Sequence, residues 1–271
     1  MRLYYLVLVL LAGIACNKEA ALTPEPIPPV YTLPQGNHDY DDTIVAWYKK
    51  YNTFILYKFT QLDYAYNYYD KKPDSAFNAN PAYVASTLRF IREELLEVYP
   101  EAFLKTTLPY KILLASYIGS GTTRSATGFS ASSNMLAIGW ADSTLAQKTP
   151  AQRKQLRGWL HRAYMERTFR TDNTIIPDAF KALAPPAYGQ VLPAKLLEEG
   201  IVEPYTNALN VATDFLAYIE VITSHTKEEL EAGVLSSRVD VKGLIRKKYD
   251  VVIATFLNKY QIDLQAIGNR P

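Results

Sequence analysis

The chain has 271 residues, of which 48% are hydrophobic and 21% are charged. This composition is typical of a globular protein and excludes a fibrous or wholly disordered chain. The 29 basic and 27 acidic residues leave a net charge of +2. A nucleic-acid-binding protein normally carries a clear basic excess on one face, so we expect no nucleic acid partner.

Residues 1–15 are typical of a bacterial lipoprotein signal peptide. Arg2 is basic, the apolar run from Leu3 to Ile14 is too short to span a membrane, and small residues precede Cys16, the single cysteine of the chain. We therefore predict cleavage before Cys16 and attachment of lipid to its thiol. Several acyl chains at one N-terminus anchor a protein to a membrane without spanning it. An uncleaved anchor or a short buried helix is the alternative.

The residues after the lipidation site favour the outer membrane. Asn17 follows Cys16, where an aspartate would be the usual signal for retention at the inner membrane. Residues 16–40 contain five prolines, which disfavour helix and sheet and predict an extended tether. A ligand for a proline-recognition module is the alternative. We expect the folded domain to occupy residues 41–271, and the residues leave open which side of the membrane it faces.

The first part of this domain combines a capped helix, a strand and a longer helix. Asp41, Asp42 and Thr43 are suited to cap a first helix, and residues 54–59 are rich in the aromatic and branched side chains of strands. Tyr64, Tyr66 and Tyr68 then alternate with other residues. We interpret these tyrosines as a row of side chains that covers one face of a half-buried sheet. The alternative is that they stack against sugars or line a peptide-binding groove. From Pro81 to Tyr99, apolar residues recur at the spacing of an amphipathic helix.

The remaining pattern predicts two strands followed by helices. Residues 110–118 and 134–140 are predicted strands, and the small residues of 119–133 predict a loop between them. Helices are predicted at 150–170, 206–224 and 239–260. The last of these has Val241, Leu244 and further apolar residues at core spacing. The fold class predicted from this order is α+β.

This order of elements, together with the lipobox, resembles the substrate import-associated zinc metallohydrolase lipoproteins. The resemblance extends over most of the mature chain and involves residues 51–59, 103–120, 127–140, 160–169, 176–180, 200–205, 214–215, 248–249 and 260–264. It implies a zincin-like metallopeptidase fold, in which a small mixed sheet accompanies a central zinc-site helix and a helical C-terminal half. It also implies zinc as the cofactor.

The central zinc motif of that family is degenerate in this chain. The family has a histidine followed by His-Glu-x-x-His, whose two histidines bind zinc and whose glutamate activates the metal-bound water. His161 matches the preceding histidine, and Arg162, Ala163 and Glu166 occupy the positions of the first ligand, the catalytic glutamate and the second ligand. A shift by one residue puts Arg162 at the catalytic position and Met165 at the second histidine. In neither alignment does the chain have both zinc-binding histidines and the catalytic glutamate.

The downstream part of the family site is also incomplete. A Glu-Asp-Phe sequence followed by a glutamate is present here as Thr213, Asp214 and Phe215, with Ala217 in place of the last acid. We therefore expect no catalytic residues and no bound zinc, and we interpret His161 as a structural histidine. A metal site formed by His161, Glu166, Asp214 and water is the alternative.

Arg162 is a candidate substitute for the missing metal ion. Arg162 and Glu166 are four residues apart on one helix and are predicted to pair, and the guanidinium is also suited to bind Asp214. A solvated pair that contributes little to stability is the alternative.

The resemblance implies an accessory component of a TonB-dependent importer of the SusC/SusD type. In that hypothesis the protein is catalytically silent and binds a peptide or glycan, with residues 134–140 as the candidate ligand-binding edge strand. An active zinc-dependent metallohydrolase with an atypical metal site is the alternative. A domain that only packs against the importer is a third possibility.

Overall fold

The computed structural model describes residues 30–65, 72–171, 175–203 and 209–271. The chain divides into two compact units, Met1–Thr32 and Leu33–Pro271. The predicted signal peptide and Cys16 lie outside the described residues. The second unit starts upstream of residue 41, where we expected the folded domain to begin. The side chain of Gln35 accepts hydrogen bonds from the backbone N–H groups of Tyr57 and Lys58, so this segment packs on the domain.

The first part of the domain consists of short elements. They are α1 (Asp39–Tyr51), β1 (Phe54–Leu56), α2 (Gln61–Ala65), β2 (Ser75–Asn78), α3 (Pro81–Ile91), a π-helical turn (Arg92–Leu96) and α4 (Glu101–Thr107). Helix α1 begins after His38, earlier than predicted. Asp41 lies inside the first turn of α1, where its carboxylate accepts a hydrogen bond from the backbone N–H of His38 at 2.9 Å.

The interpretation of the tyrosine row as part of a sheet is wrong for Tyr64. Tyr64 lies in α2, is buried, and donates a hydrogen bond from its hydroxyl to Asp74 at 2.7 Å. This segment is helical because the Asp63 carboxylate accepts hydrogen bonds from the backbone N–H and the hydroxyl of Thr60, which caps the first turn of the helix. Tyr66 and Tyr68 lie outside the described residues.

The sheet is mixed and is built around one long central strand. Its remaining strands are β3 (Lys111–Ser120), β4 (Thr123–Arg124), β5 (Phe129–Ser132) and β6 (Met135–Ile138). Strands β1 and β6 run parallel to β3 on either side of it, and β5 pairs antiparallel with β6. Strands β2 and β4 pair antiparallel with the C-terminal half of β3. The two predicted strands are confirmed, but the predicted loop between them contains β4 and β5.

The sheet order contradicts the predicted ligand-binding edge. Strand β6, the centre of residues 134–140, lies between β3 and β5 and is buried along its whole length. Its backbone groups are used on both sides, so no peptide can add to it. The outer strand here is β5, whose Ala131 carbonyl accepts a hydrogen bond from the Lys72 ammonium at 2.6 Å. Sequence alone missed β5 because three of its four residues, Ser130, Ala131 and Ser132, are small.

The C-terminal half is helical, as predicted. It contains α5 (Pro150–Thr171), α6 (Asp178–Lys181), 3-10 turns at Tyr188–Gln190 and Pro193–Lys195, α7 (Val211–Ser224), α8 (Lys227–Ala232), α9 (Leu244–Tyr260) and α10 (Leu264–Gly268). Helix α9 starts later than predicted, because Asp240 accepts hydrogen bonds from the N–H groups of Ile245 and Arg246. Val241 therefore lies before the helix and is 73% exposed.

Helix α5 is the element around which the candidate site is built. It packs against α7 on one side and β5 on the other. Gly158 lies where α5 crosses α7, since a Cβ there would lie 2.8 Å from the Glu220 carbonyl oxygen. In the described ranges, none of the helices combines the length and apolarity needed to cross a membrane.

Candidate functional site

His161 lies in the core of the domain. Its ring is fully buried, and Nδ1 is 2.7 Å from the hydroxyl oxygen of Tyr99. Nε2 has no hydrogen-bond partner among the described residues. Burial, with added repulsion from Arg157 and Arg270, lowers the pKa of His161 to about 3. The imidazole is therefore neutral at ordinary pH.

Arg162 is held by two carboxylates from other parts of the chain. Its Nη2 lies 2.5 Å from Glu203 Oε2, and its Nη1 lies 3.0 Å from Glu220 Oε2. Glu203 precedes a segment outside the described residues and is 2% exposed, whereas Glu220 comes from α7. The guanidinium therefore bridges α5, α7 and the chain around residue 203.

The predicted pairing of Arg162 with Glu166 is wrong. Glu166 pairs instead with Arg170, one turn further along α5, at 2.9 Å. Both side chains of that pair are 36% exposed, whereas the side chains around Arg162 are largely buried. A buried charge needs a partner within the fold, and the close packing of α7 on α5 places Glu220 there.

The protonation of this cluster follows from burial and from the opposite charges within it. Burial raises the pKa of Glu220, while Arg162 acts in the opposite direction and the charge of Glu203 adds to the increase. Burial disfavours the charged form of Arg162, but its hydrogen bonds and charge interactions with the two glutamates outweigh this, and its pKa is raised. Each carboxylate repels the other, and the guanidinium between them offsets that repulsion.

Asp214 has a different cation from the one we predicted. Its Oδ2 lies 2.6 Å from the Lys248 ammonium, with both side chains fully buried, and accepts a hydrogen bond from the Tyr188 hydroxyl at 2.8 Å. Lys248 also donates to the carbonyl oxygen of Gly200 at 3.0 Å. Burial raises the pKa of Asp214, with Lys248 and Tyr188 acting against the increase. Arg162 does not bind Asp214, because Lys248 of α9 occupies that place.

The two ion-pair groups form one charge cluster, defined here as Arg162, Glu203, Glu220, Asp214 and Lys248. Glu203 links its halves, since its charge raises the pKa of both Asp214 and Glu220. The cluster has three acids and two bases. The site that the resemblance assigns to zinc is therefore surrounded by carboxylates that already bind cations belonging to the chain.

The other two site positions have structural roles. Ala163 is 7% exposed and packs in the hydrophobic core. Thr213 lies in the first turn of α7, where its hydroxyl accepts a hydrogen bond from the Asn210 N–H at 3.0 Å while the Asn210 side chain caps the helix. Neither is a metal ligand.

The described side chains do not fit a zinc ion. A zinc site needs three or four nitrogen, sulfur or carboxylate ligands around one point, and an arginine stays protonated and has no acceptor. Within the described ranges, no group of three or more His, Cys, Asp or Glu residues is placed to hold a metal ion. The alternative site of His161, Glu166 and Asp214 is not assembled, because each binds a different partner, namely Tyr99, Arg170 and Lys248.

Sequence reasoning missed Glu203, Glu220 and Lys248. Glu203 and Lys248 lie within segments that contributed to the family resemblance, at 200–205 and 248–249. Glu220 lies three residues after Ala217, the position where the family has a glutamate, and so it follows on the same face of α7. This spacing was the one available signal for Glu220.

Comparison with solved structures supports the fold alone. A crystal structure described as that of a "putative zinc-binding metallo-peptidase" from Bacteroides caccae is similar to this chain, with a TM-score of 0.56 and 15% sequence identity. The similarity covers 86% of this chain and 91% of that one. No protein-family model and no curated protein matches the sequence. The α+β architecture is thus shared with a structure described as a metallopeptidase.

Proposed function

We propose that this protein is a catalytically silent relative of the zincin-like metallopeptidases that acts by binding and not by hydrolysis. The observation that carries the proposal is the bridge from Arg162, which the resemblance aligns with the first zinc ligand, to Glu203 and Glu220. Metal-dependent hydrolysis needs a metal that lowers the pKa of water, ligands that hold the metal, and a base that takes the proton. Arg162, Ala163 and Glu166 supply none of these in the predicted alignment.

The test combines metal analysis with activity. Purified protein should contain no stoichiometric zinc, and it should leave protein and peptide substrates uncut when zinc is added. Chelator-sensitive cleavage by the unmodified protein would overturn the proposal.

A triple variant provides the matched control. In Arg162→His, Ala163→Glu and Glu166→His together, the zinc motif of the family is restored, and we expect zinc uptake. A folded triple variant that takes up no zinc would argue against the predicted alignment and the zincin-like assignment, while leaving the inactivity of the natural protein to be judged by the first assay.

Lipid anchoring at the outer membrane is the second part of the proposal. It is supported by the basic, apolar and small-residue pattern before Cys16 and by the absence of an aspartate after it. The protein should fractionate with the outer membrane, and Cys16→Ala should release or mislocalise it. Recovery of the natural protein in the soluble fraction would contradict the anchor.

Association with a TonB-dependent SusC/SusD-type importer is the third part, and it rests on the family resemblance. Isolation of the native membrane complex should recover the importer with this lipoprotein. Pull-down experiments with and without candidate peptides or glycans then separate ligand capture from simple packing against the importer. Recovery of the lipoprotein alone under gentle extraction would contradict this part.

A further inference from the structure

A groove of about 460 Å³ lies where three helices end, and its residues are different from those of the charge cluster. Helix α4 contributes residues from both of its ends to the wall, and α5 and α9 contribute their last turns. Phe103 and Tyr260 supply aromatic surface, Thr107 and Thr168 supply hydroxyl groups, and Lys259 supplies an exposed ammonium. Its described lining residues include no aspartate or glutamate.

Arg167 lies behind this wall without an anionic partner. It is only 8% exposed, and its Nη1 donates a hydrogen bond to the carbonyl oxygen of Thr107, a lining residue. Its Nε has no partner, and no carboxylate lies within ion-pair distance of it among the described residues. By contrast Arg157, ten residues earlier on the same helix and also buried, is bound by Glu94 at 2.7 Å. A buried guanidinium without an anion is unfavourable.

Lys259 adds a second uncompensated positive charge. Its ammonium lies 4.9 Å from the centre of the Tyr260 ring, and the described part of the chain places no carboxylate within ion-pair distance of it. The groove therefore has an apolar and aromatic surface with one exposed cation, Lys259, and the buried guanidinium of Arg167 lies behind its wall.

At two of the three helix ends, those of α4 and α9, terminal carbonyl groups accept hydrogen bonds. A helix C-terminus carries a partial negative charge on its last carbonyl groups. At α4, the Thr107 carbonyl is already bound by Arg167. At α9, the backbone N–H groups of Gln261 and Ile262 bind the carbonyls of Leu257 and Phe256. These bonds reduce the partial negative charge with which the ends of α4 and α9 would oppose the charges of Arg167 and Lys259.

From this charge complementarity we propose that the groove binds a small organic carboxylate with an apolar body. The carboxylate lies at the Lys259 end, where the Arg167 charge also stabilises it, and the apolar body lies against Phe103 and Tyr260. The hydroxyls of Thr107 and Thr168 donate to carbonyl oxygens of their own helices, so neither is available as a donor to the carboxylate. The proposal is independent of the charge cluster and of catalysis.

The test uses octanoate as the probe, with 1-octanol and octylammonium as isosteric controls, measured by titration calorimetry on the mature protein. We expect octanoate to bind more tightly than either control. Lys259→Gln should weaken octanoate about two- to fivefold, the range of a single exposed charge interaction. Lys247→Gln, an exposed lysine elsewhere on α9, should leave the affinity unchanged.

Arg167→Met provides the second arm. It should remove much of the preference for octanoate over 1-octanol and also raise the melting temperature of the free protein, because it removes a buried uncompensated charge. Equal binding of octanoate and octanol to the natural protein would overturn the proposal. So would an octanoate affinity unchanged in Lys259→Gln, a variant at an exposed position that should fold even where Arg167→Met does not.

Discussion

Arg162 and Arg167 lie five residues apart on α5, and they differ in the groups that bind their guanidinium ions. Arg162 is bound by two carboxylates, although its side chain keeps 18% of its surface exposed. Arg167 is more deeply buried and has one backbone carbonyl as its partner. The pKa of Arg162 is accordingly raised, whereas burial lowers that of Arg167. Because desolvation acts on both, the difference comes from the presence or absence of nearby acids.

The two arginines differ in whether the described residues supply a carboxylate that binds the guanidinium. At Arg162 the fold supplies both the cation and its anions, and the charge cluster as a whole has one more acid than it has bases. At Arg167 the guanidinium donates to one backbone carbonyl, and the described residues place no carboxylate within ion-pair distance of it. The same helix thus has one arginine bound by two carboxylates and another without a carboxylate partner among the described residues.

Arg162→Ala should have the largest effect on stability. Removing the guanidinium leaves Glu203 and Glu220 facing each other in a buried place, and loss of one partner of a buried pair destabilises by about 3 kcal/mol or more. Denaturant unfolding measures the change, and Arg170→Ala, which breaks the exposed pair with Glu166, is the control. A change equal to that of the control would show that the Arg162 bridge is only a solvated pair.

Gly158→Ala tests the helix contact that brings Glu220 to Arg162. The added Cβ would lie 2.7 Å from Ser224 Cβ and 2.8 Å from the Glu220 carbonyl oxygen. Helices α5 and α7 must then move apart, and we expect a loss of about 1–3 kcal/mol. Gly189→Ala is the control, since a Cβ at Gly189 has no neighbour within 4 Å. Equal stability of the two variants in thermal unfolding would contradict the close crossing.

His161, which lies on α5 between Arg157 and Arg162, is expected to make the free energy of unfolding depend on pH. Its folded pKa of about 3 lies below the unfolded value of 6.5, so the unfolded chain takes up the proton first as the pH falls. The contribution of the neutral His161 to the free energy of unfolding is complete above pH 6.5. Below pH 6.5 it decreases by up to about 1.4 kcal/mol per pH unit.

Unfolding of the natural protein and of His161→Asn between pH 7 and pH 5 measures this contribution. The variant should show a shallower decrease in stability. Asp214 and Glu220, whose folded pKa values are raised, act in the opposite direction in both proteins, so their effect cancels in the difference. Parallel pH profiles would contradict a neutral buried His161.

Glu166→Gln should have the smallest effect. Glu166 and Arg170 are both 36% exposed, and pairs of this kind contribute at most about 0.5 kcal/mol. A loss of stability comparable to that of Arg162→Ala would show that Glu166 belongs to the charge cluster.

Local patterns in the sequence were sufficient for the main elements. Helix α5 and strands β3 and β6 were predicted because their apolar spacing depends only on neighbouring residues. The sequence also determined that Arg162 and Ala163 cannot act as a zinc ligand and a base, because this follows from the chemistry of the side chains. Strand β5 was missed, and with it the edge of the sheet, because a short strand made mostly of small residues resembles a loop.

Only the tertiary structure decided which charges meet. Arg162 binds acids 41 and 58 residues away in the chain, and Lys248 binds Asp214 across 34 residues. Such pairs depend on how α5, α7 and α9 pack, and no local spacing encodes that packing. The predicted Arg162–Glu166 pair followed the one spacing that a sequence shows directly. It is wrong because buried acids from distant segments bind a partly buried guanidinium more strongly than an exposed neighbour on the same helix does.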